Sequence, residues 1–180
     1  IFRMSNPNHN NSGRAIGKGM LILSLSVGLI LLTFVFDNLL SEQINPNRNP
    51  ESIELLSGVR EVTLQRNRQG HYIADGTIND IPVTFLVDTG ATDVAIPATI
   101  ADQAHLMRGN ARVAATANGS INVYSTKLNS LTLGNIFLQD ISASITPSMF
   151  SNTILLGMSA LKEIDFSQVG STLTLRQIPN

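Results

Sequence analysis

Three stretches of different hydrophobic rhythm divide the chain. From Gly19 to Phe36 no side chain is charged, and Leu, Ile, Val and Phe dominate. Eighteen helical residues span about 27 Å at ~1.5 Å each, close to the ~30 Å hydrocarbon core of a bilayer, and Leu39 and Leu40 prolong the run. Residues 19–40 therefore predict one transmembrane helix. A cleaved secretory signal competes with this reading, but its apolar core runs to only ~7–15 residues and ends at a small-x-small site. Phe36-Asp37-Asn38-Leu39-Leu40 offers no such site. Residues 41–58, with Asn-Pro-Asn-Arg-Asn-Pro, predict a polar tether, because proline lacks a backbone donor and the composition cannot sustain a long helix or a central strand. Leu55-Leu56 is the apolar exception, expected to pack on the folded part, with self-processing as its alternative use.

Beyond residue 59 the period falls to two. Val62 and Leu64 alternate with Thr63 and Gln65 as in a half-buried strand. A turn over residues 67–70 leads to His71-Tyr72-Ile73-Ala74, and Ile78-Asn79-Asp80-Ile81 makes a tight connection into a strand over residues 83–87. Val94-Ala95-Ile96 is a further short strand. Pro97 then suits the first turn of a helix, with Ile100, Ala101, Ala104 and Met107 at helical spacing and Gly109-Asn110 as its stop. Residues 112–117 and 121–128 flank Asn118-Gly119, a strong hairpin signal because such turns need positive φ. Residues 131–133, 136–138 and 141–145 read as separate short strands. Residues 153–161 repeat the earlier plan of apolar strand, glycine and short helix, and residues 171–176 alternate as a closing strand.

Composition narrows the chemistry. The 180 residues include no cysteine, which removes disulfides, thiol nucleophiles and thiolate metal sites. A net charge of −1 without a basic stripe gives no footprint for nucleic acid. His9, His71 and His105 are far apart with no second ligand at metal spacing, so neither a metal nor another cofactor is expected. No His-x-x-x-His and no serine elbow supports a metalloprotease or a serine hydrolase.

What remains is Phe85-Leu86-Val87-Asp88-Thr89-Gly90-Ala91, an apolar strand that delivers a carboxylate, a hydroxyl and a glycine. Taken alone, Asp88 reads first as a cap on the turn after a strand, a common use of such sequences. Together with a hairpin some thirty residues later and Ile154-Leu155-Leu156-Gly157 before a short helix, the order resembles a retropepsin-like aspartic protease over roughly residues 60–176. The bacterial membrane-anchored type, with its Leu-Leu-Gly-Met-Ser second motif, is the nearer likeness.

The resemblance implies an all-β fold, a closed acid-protease barrel with one or two short helices behind a single transmembrane helix. Asp88 would be catalytic, with Thr89, Gly90 and Ala91 in the active-site loop. Thr89 would hydrogen-bond across a two-fold axis, and Gly90 would let substrate approach. Thr92, Asn118, Gly119, Leu156, Gly157 and Met158 would be candidates for substrate contact. Asp93 would either contact substrate or be a solvated turn residue. The hairpin at Asn118-Gly119 would be the flap, and strands near Val62 and Leu173 would supply much of a dimer interface. Peptide hydrolysis of this kind needs two carboxyl groups about 3 Å apart sharing a proton. The chain has one Asp-Thr-Gly, so the implied enzyme is a homodimer acting on peptide or protein substrates. The alternative is a non-catalytic module of the same fold that dimerises or binds peptides at the membrane. Two departures stand out: Thr92 follows Ala91, and Met158 follows Gly157 where retroviral members often carry arginine. The Asp–Arg pair that steadies those enzymes is expected to be missing.

Arg3, Arg14 and Lys18 precede the apolar helix, whereas Asp37 and Glu42 follow it. The positive-inside rule then leaves residues 1–18 in the cytoplasm. The expected organisation is a single pass through the inner (cytoplasmic) membrane by residues 19–40, a linker over 41–58, and a protease domain over 59–180 on the periplasmic side.

Overall fold

The computed structural model describes residues 12–116 and 119–179. The chain divides into two compact units, the second beginning at Glu42. In the first, helix α1 (Ser12–Ile44) begins; its stretch Ile16–Phe36 has a mean hydropathy of 2.5. Apolar side chains such as Met20, Leu25, Ile30 and Phe34 emerge exposed on all sides. By length and composition this helix is able to cross a membrane.

The second unit is almost entirely β. A small antiparallel sheet contains β1 (Glu51–Glu54), β2 (Arg60–Gln65), β10 (Asp165–Val169) and β11 (Thr172–Gln177) in the order β1-β2-β11-β10. Alternation puts Val62, Leu64, Leu173 and Leu175 into the core, while Thr63 and Thr174 pair on the opposite face. The strands around Val62 and Leu173 thus pair with each other. Their outer edges are already covered, by β1 on one side and β10 on the other, so those backbone edges are used within the chain.

The expected tether is ordered instead. Helix α1 runs on to Ile44, and Asn45 and Asn47 are buried, 8% and 3% exposed. Asn47 Nδ2 donates to Gln65 O (2.9 Å) and Ile73 O (2.7 Å), and its Oδ1 accepts from Gln65 N–H (2.7 Å). Asn45 Nδ2 donates to Asp75 Oδ1 (2.7 Å). Polar composition predicted solvation, but asparagine side chains satisfy strand ends as readily as they bind water. Leu55-Leu56 falls in a hydrogen-bonded turn in which Gly58 N–H donates to Leu55 O (2.8 Å), with Leu56 fully exposed rather than packed.

The larger sheet holds β3 (Ile73–Ile78), β4 (Ile81–Val87), β5 (Val94–Pro97), β6 (Ala111–Thr116), β7 (Gly119–Leu133), β8 (Ile136–Thr146) and β9 (Thr153–Leu156), in the order β3-β4-β9-β5-β8-β7-β6. The far half of β7 also pairs with β3, Thr77 opposite Thr132 and Ile78 opposite Leu131, which closes the ring into the expected barrel. Phe85, Ile96, Leu128, Ile145, Ile154 and Leu156 fill it. Gly76 permits the closure, because a Cβ there would collide with Thr132 O and the Phe85 ring.

Local expectations shift in three places. The strands expected at 131–133 and at 136–138 with 141–145 are parts of β7 and β8, whose pairing merely skips Asp140, at positive φ. The helix after Pro97, α2 (Ala98–Gln103), ends before Met107. His105 takes φ 51°, Leu106 N–H donates to Ala101 O and His105 N–H to Asp102 O, a Schellman-type stop that leaves Met107 exposed. In the hairpin, Thr116 pairs with Gly119, so the register sits one residue earlier than an Asn118-Gly119 turn; Asn118 lies outside the described residues.

Candidate active site

The site is built where β4 and β9 run side by side in parallel, Phe85 opposite Ile154 and Val87 opposite Leu156. Val83, Phe85, Ile154 and Leu156 bury one face of this pair, and Leu86 and Leu155 on the other face are half-buried. At their shared end β4 releases the loop 88–93, and β9 passes through Gly157 into helix α3 (Met158–Leu161). Asp88 N–H donates to Leu156 O (3.1 Å), which extends the pairing one residue beyond the strand. Gly90 N–H donates to Asp88 Oδ1 (2.9 Å) and Ala91 N–H to Asp88 O (3.2 Å), so the carboxylate is oriented by its own turn. No described residue donates to Asp88 Oδ2. Asp88 is half-buried, and Thr89 and Gly90 are exposed beside it.

The second motif cradles this loop with backbone. Met158 N–H donates to Ala91 O (2.8 Å) and Ser159 N–H to Thr92 O (2.9 Å). Gly157 has to be glycine, since a Cβ would collide with Asp93 O and Ala91 O. The buried Ser159 hydroxyl donates to Ser142 O (2.7 Å) and accepts from Val94 N–H (2.9 Å), tying the end of the loop to β8.

The candidate residues fall into two groups. Asp88, Thr89, Gly90, Ala91, Thr92 and Asp93 form one continuous loop held against Gly157 and Met158. Leu156 contributes a carbonyl only, because its side chain is buried in the core, and the Met158 side chain packs partly on that core. Gly119 sits at the start of β7 with φ 112°, exposed in the hairpin. Asp93 is not a solvated turn residue: its Oδ2 pairs with Arg112 Nη2 and accepts from Ser144 Oγ (2.8 Å). Sequence reasoning missed Arg112, Ser144 and Ser159. Ser159 lay two residues past the second motif's glycine, close enough to be suspected; Arg112 and Ser144 carried no local signal.

A half-buried carboxylate oriented by a backbone N–H and set beside a glycine at the surface is suited to activating a water once a second carboxyl faces it. With the barrel and the paired apolar-strand motifs, the chain has the fold of the retropepsin-like aspartic proteases. The family model for gag-polyprotein putative aspartyl protease matches residues 74–163, and the chain belongs to that family. A retropepsin-like aspartic protease from Rickettsia conorii superposes with a TM-score of 0.57 at 26% identity, over 72% of this chain and 96% of that one. Two uncharacterised proteins are also similar. One, from the cobV 5′ region of Sinorhizobium sp, is 30% identical over 62% of this chain and 49% of its own length. The other, RP867 of Rickettsia prowazekii (strain Madrid E), is 28% identical over 65% and 51%. The chain spans about half the length of these curated relatives.

Proposed function

We propose that this protein is a membrane-anchored aspartic endopeptidase whose active form is a homodimer. The observation that carries the reading is the state of Asp88. One oxygen is held by Gly90 N–H, the other is free of described donors, and Thr89 and Gly90 are exposed alongside, an open half-site. In the dimer, Asp88 of each copy faces the other across a two-fold axis and the pair shares one proton, since two like charges at ~3 Å do not both ionise. The ionised carboxylate takes a proton from a water, the protonated one donates to the scissile carbonyl, and the water oxygen adds to the carbonyl carbon. An extended peptide lies between this dyad and the β6–β7 hairpin, which closes as a flap and excludes bulk water. Helix α1 is the anchor, with residues 1–18 cytoplasmic and the protease unit on the periplasmic side of the inner membrane. The ordered contacts of Asn45 and Asn47 support starting that unit near Glu42 rather than at residue 59.

The test is peptide-library cleavage by the full chain in detergent micelles, across acidic to neutral pH, beside Asp88→Asn. Cleavage with an acid-side optimum and a loss of at least ~100-fold in the variant is expected. Mixed with an equal amount of Asp88→Asn at fixed total protein and allowed to exchange subunits, the preparation should keep about a quarter of the all-wild-type activity, because only pairs of two wild-type copies are complete. A fall to about half would mean that one chain suffices. No cleavage by a verified dimer would favour the non-catalytic, peptide-binding module.

A further inference from the structure

The β6–β7 hairpin is fastened to the active-site loop by side chains as well as by the sheet. Arg112 is the second residue of β6, and Asp93 closes the loop that begins at Asp88. Arg112 Nη2 pairs with Asp93 Oδ2 and also donates to Ser144 Oγ (2.5 Å); Ser144 Oγ in turn donates to Asp93 Oδ2 (2.8 Å). Ser144 is 5% exposed and the Asp93 side chain 20%, so the contact is shielded on one side, while the Arg112 side chain is 47% exposed. Three elements therefore meet at one carboxylate oxygen: the catalytic loop, the root of the hairpin and the barrel strand β8.

The rest of the hairpin root is arranged to hold Arg112 in place. Gly109 N–H donates to Ser125 O (2.7 Å) and Ser125 N–H to Asn110 O (3.0 Å), which extends the β6–β7 pairing before β6 begins. Arg108 lies over the Tyr124 ring at 5.6 Å, and a Cβ at Gly109 would crowd Ser125. Beyond Arg112 the hairpin is exposed, with Val113 68% accessible. Arg112 thus fastens the root of the hairpin to β8 and to the loop after β4 through its side chain. The Asp–Arg pair expected to be missing is missing, with Thr92 and Met158 at its two ends, but a different pair, Asp93 with Arg112 from the hairpin, steadies this loop.

We propose that Asp93, Arg112 and Ser144 form a latch that sets the flap over the active-site loop, with Arg112 and Asp93 as positioning residues for substrate binding. This rests on the peptidase reading for its kinetic consequence but not for its structural one. A shielded, hydrogen-bonded ion pair loses most when one partner is removed, because the other charge is left uncompensated. An unlatched flap spends less time in the binding-competent position, and apparent affinity falls by that fraction. The loss belongs to KM, since the dyad itself is untouched.

Hydrogen exchange of the full chain in detergent micelles tests the latch directly, read on peptides from β6, β7, β2 and β11. Arg112→Gln and Asp93→Asn should each speed exchange in β6 and the near half of β7 by about tenfold, with β2 and β11 unchanged. The double variant should be no faster than either single, because both remove the same contact. Arg112→Lys, which keeps the charge, should recover most of the protection. In cleavage assays the two singles should raise KM about five- to tenfold and leave kcat within about twofold. Wild-type exchange in both singles would overturn the latch, as would equal acceleration in β2 and β11. If the wild-type protein cleaves nothing, the peptidase reading fails while the exchange result still decides the latch.

Discussion

Asn47 and Asn49 stand two residues apart in the same Asn-Pro-Asn-Arg-Asn-Pro stretch, yet they should respond oppositely to truncation. Asn49 is exposed, whereas Asn47 is 3% exposed and its amide makes three bonds at 2.7–2.9 Å to the end of β2 and the start of β3. Asn47→Ala leaves Gln65 N–H, Gln65 O and Ile73 O without those partners. At about 0.5–1.5 kcal/mol for each net bond, the three together are worth about 3 kcal/mol. With a urea dependence of ~2 kcal/mol/M for a unit of this size, the unfolding midpoint should fall by ~1.5 M. Residues 42–180, the compact second unit, are the material for this titration. Asn49→Ala serves as control and should stay within about 0.5 kcal/mol of wild type. A midpoint shift below ~0.3 M for Asn47→Ala at unchanged slope would refute the clamp and restore the tether.

Two further substitutions test how the second motif holds the loop over residues 88–93. Gly157→Ala places a methyl against Asp93 O and Ala91 O, so the loop must move. Cleavage should fall at least ~100-fold, a size that misplacement of the reacting groups by an ångström accounts for, while circular dichroism still reports a folded barrel. Ser159→Ala orphans Val94 N–H and Ser142 O inside the fold, with an expected loss of about 1–3 kcal/mol in urea unfolding; a change under ~0.5 kcal/mol would show that the hydroxyl bridge is not structural.

Local chemistry was enough to specify much of this protein. Alternation at Val62 and Leu64, the tight turn at Asn79-Asp80 and the apolar runs before Asp88 and Gly157 each act within a few residues, and the strands and turns they predict are present. The unbroken apolar stretch of α1 is legible for the same reason. Strand β10 was not legible, because an edge strand exposed on both faces has no alternation to read. Nor was the length of α2, since only the positive φ at His105 ends it before Met107. The contacts that hold the site together are longer in reach still. Asn47 meets partners 18 and 26 positions away, Arg112 meets an aspartate 19 positions back, and Ser159 bonds Val94 across 65. A polar residue carries no mark of whether its partner will be water or a distant strand. Residue order by itself determined the strands, the membrane-length helix and the turn that carries Asp88. Only the closed barrel, by bringing far strands together, decided that a polar stretch became a clamp and that Arg112 of β6 met Asp93 in the loop after β4.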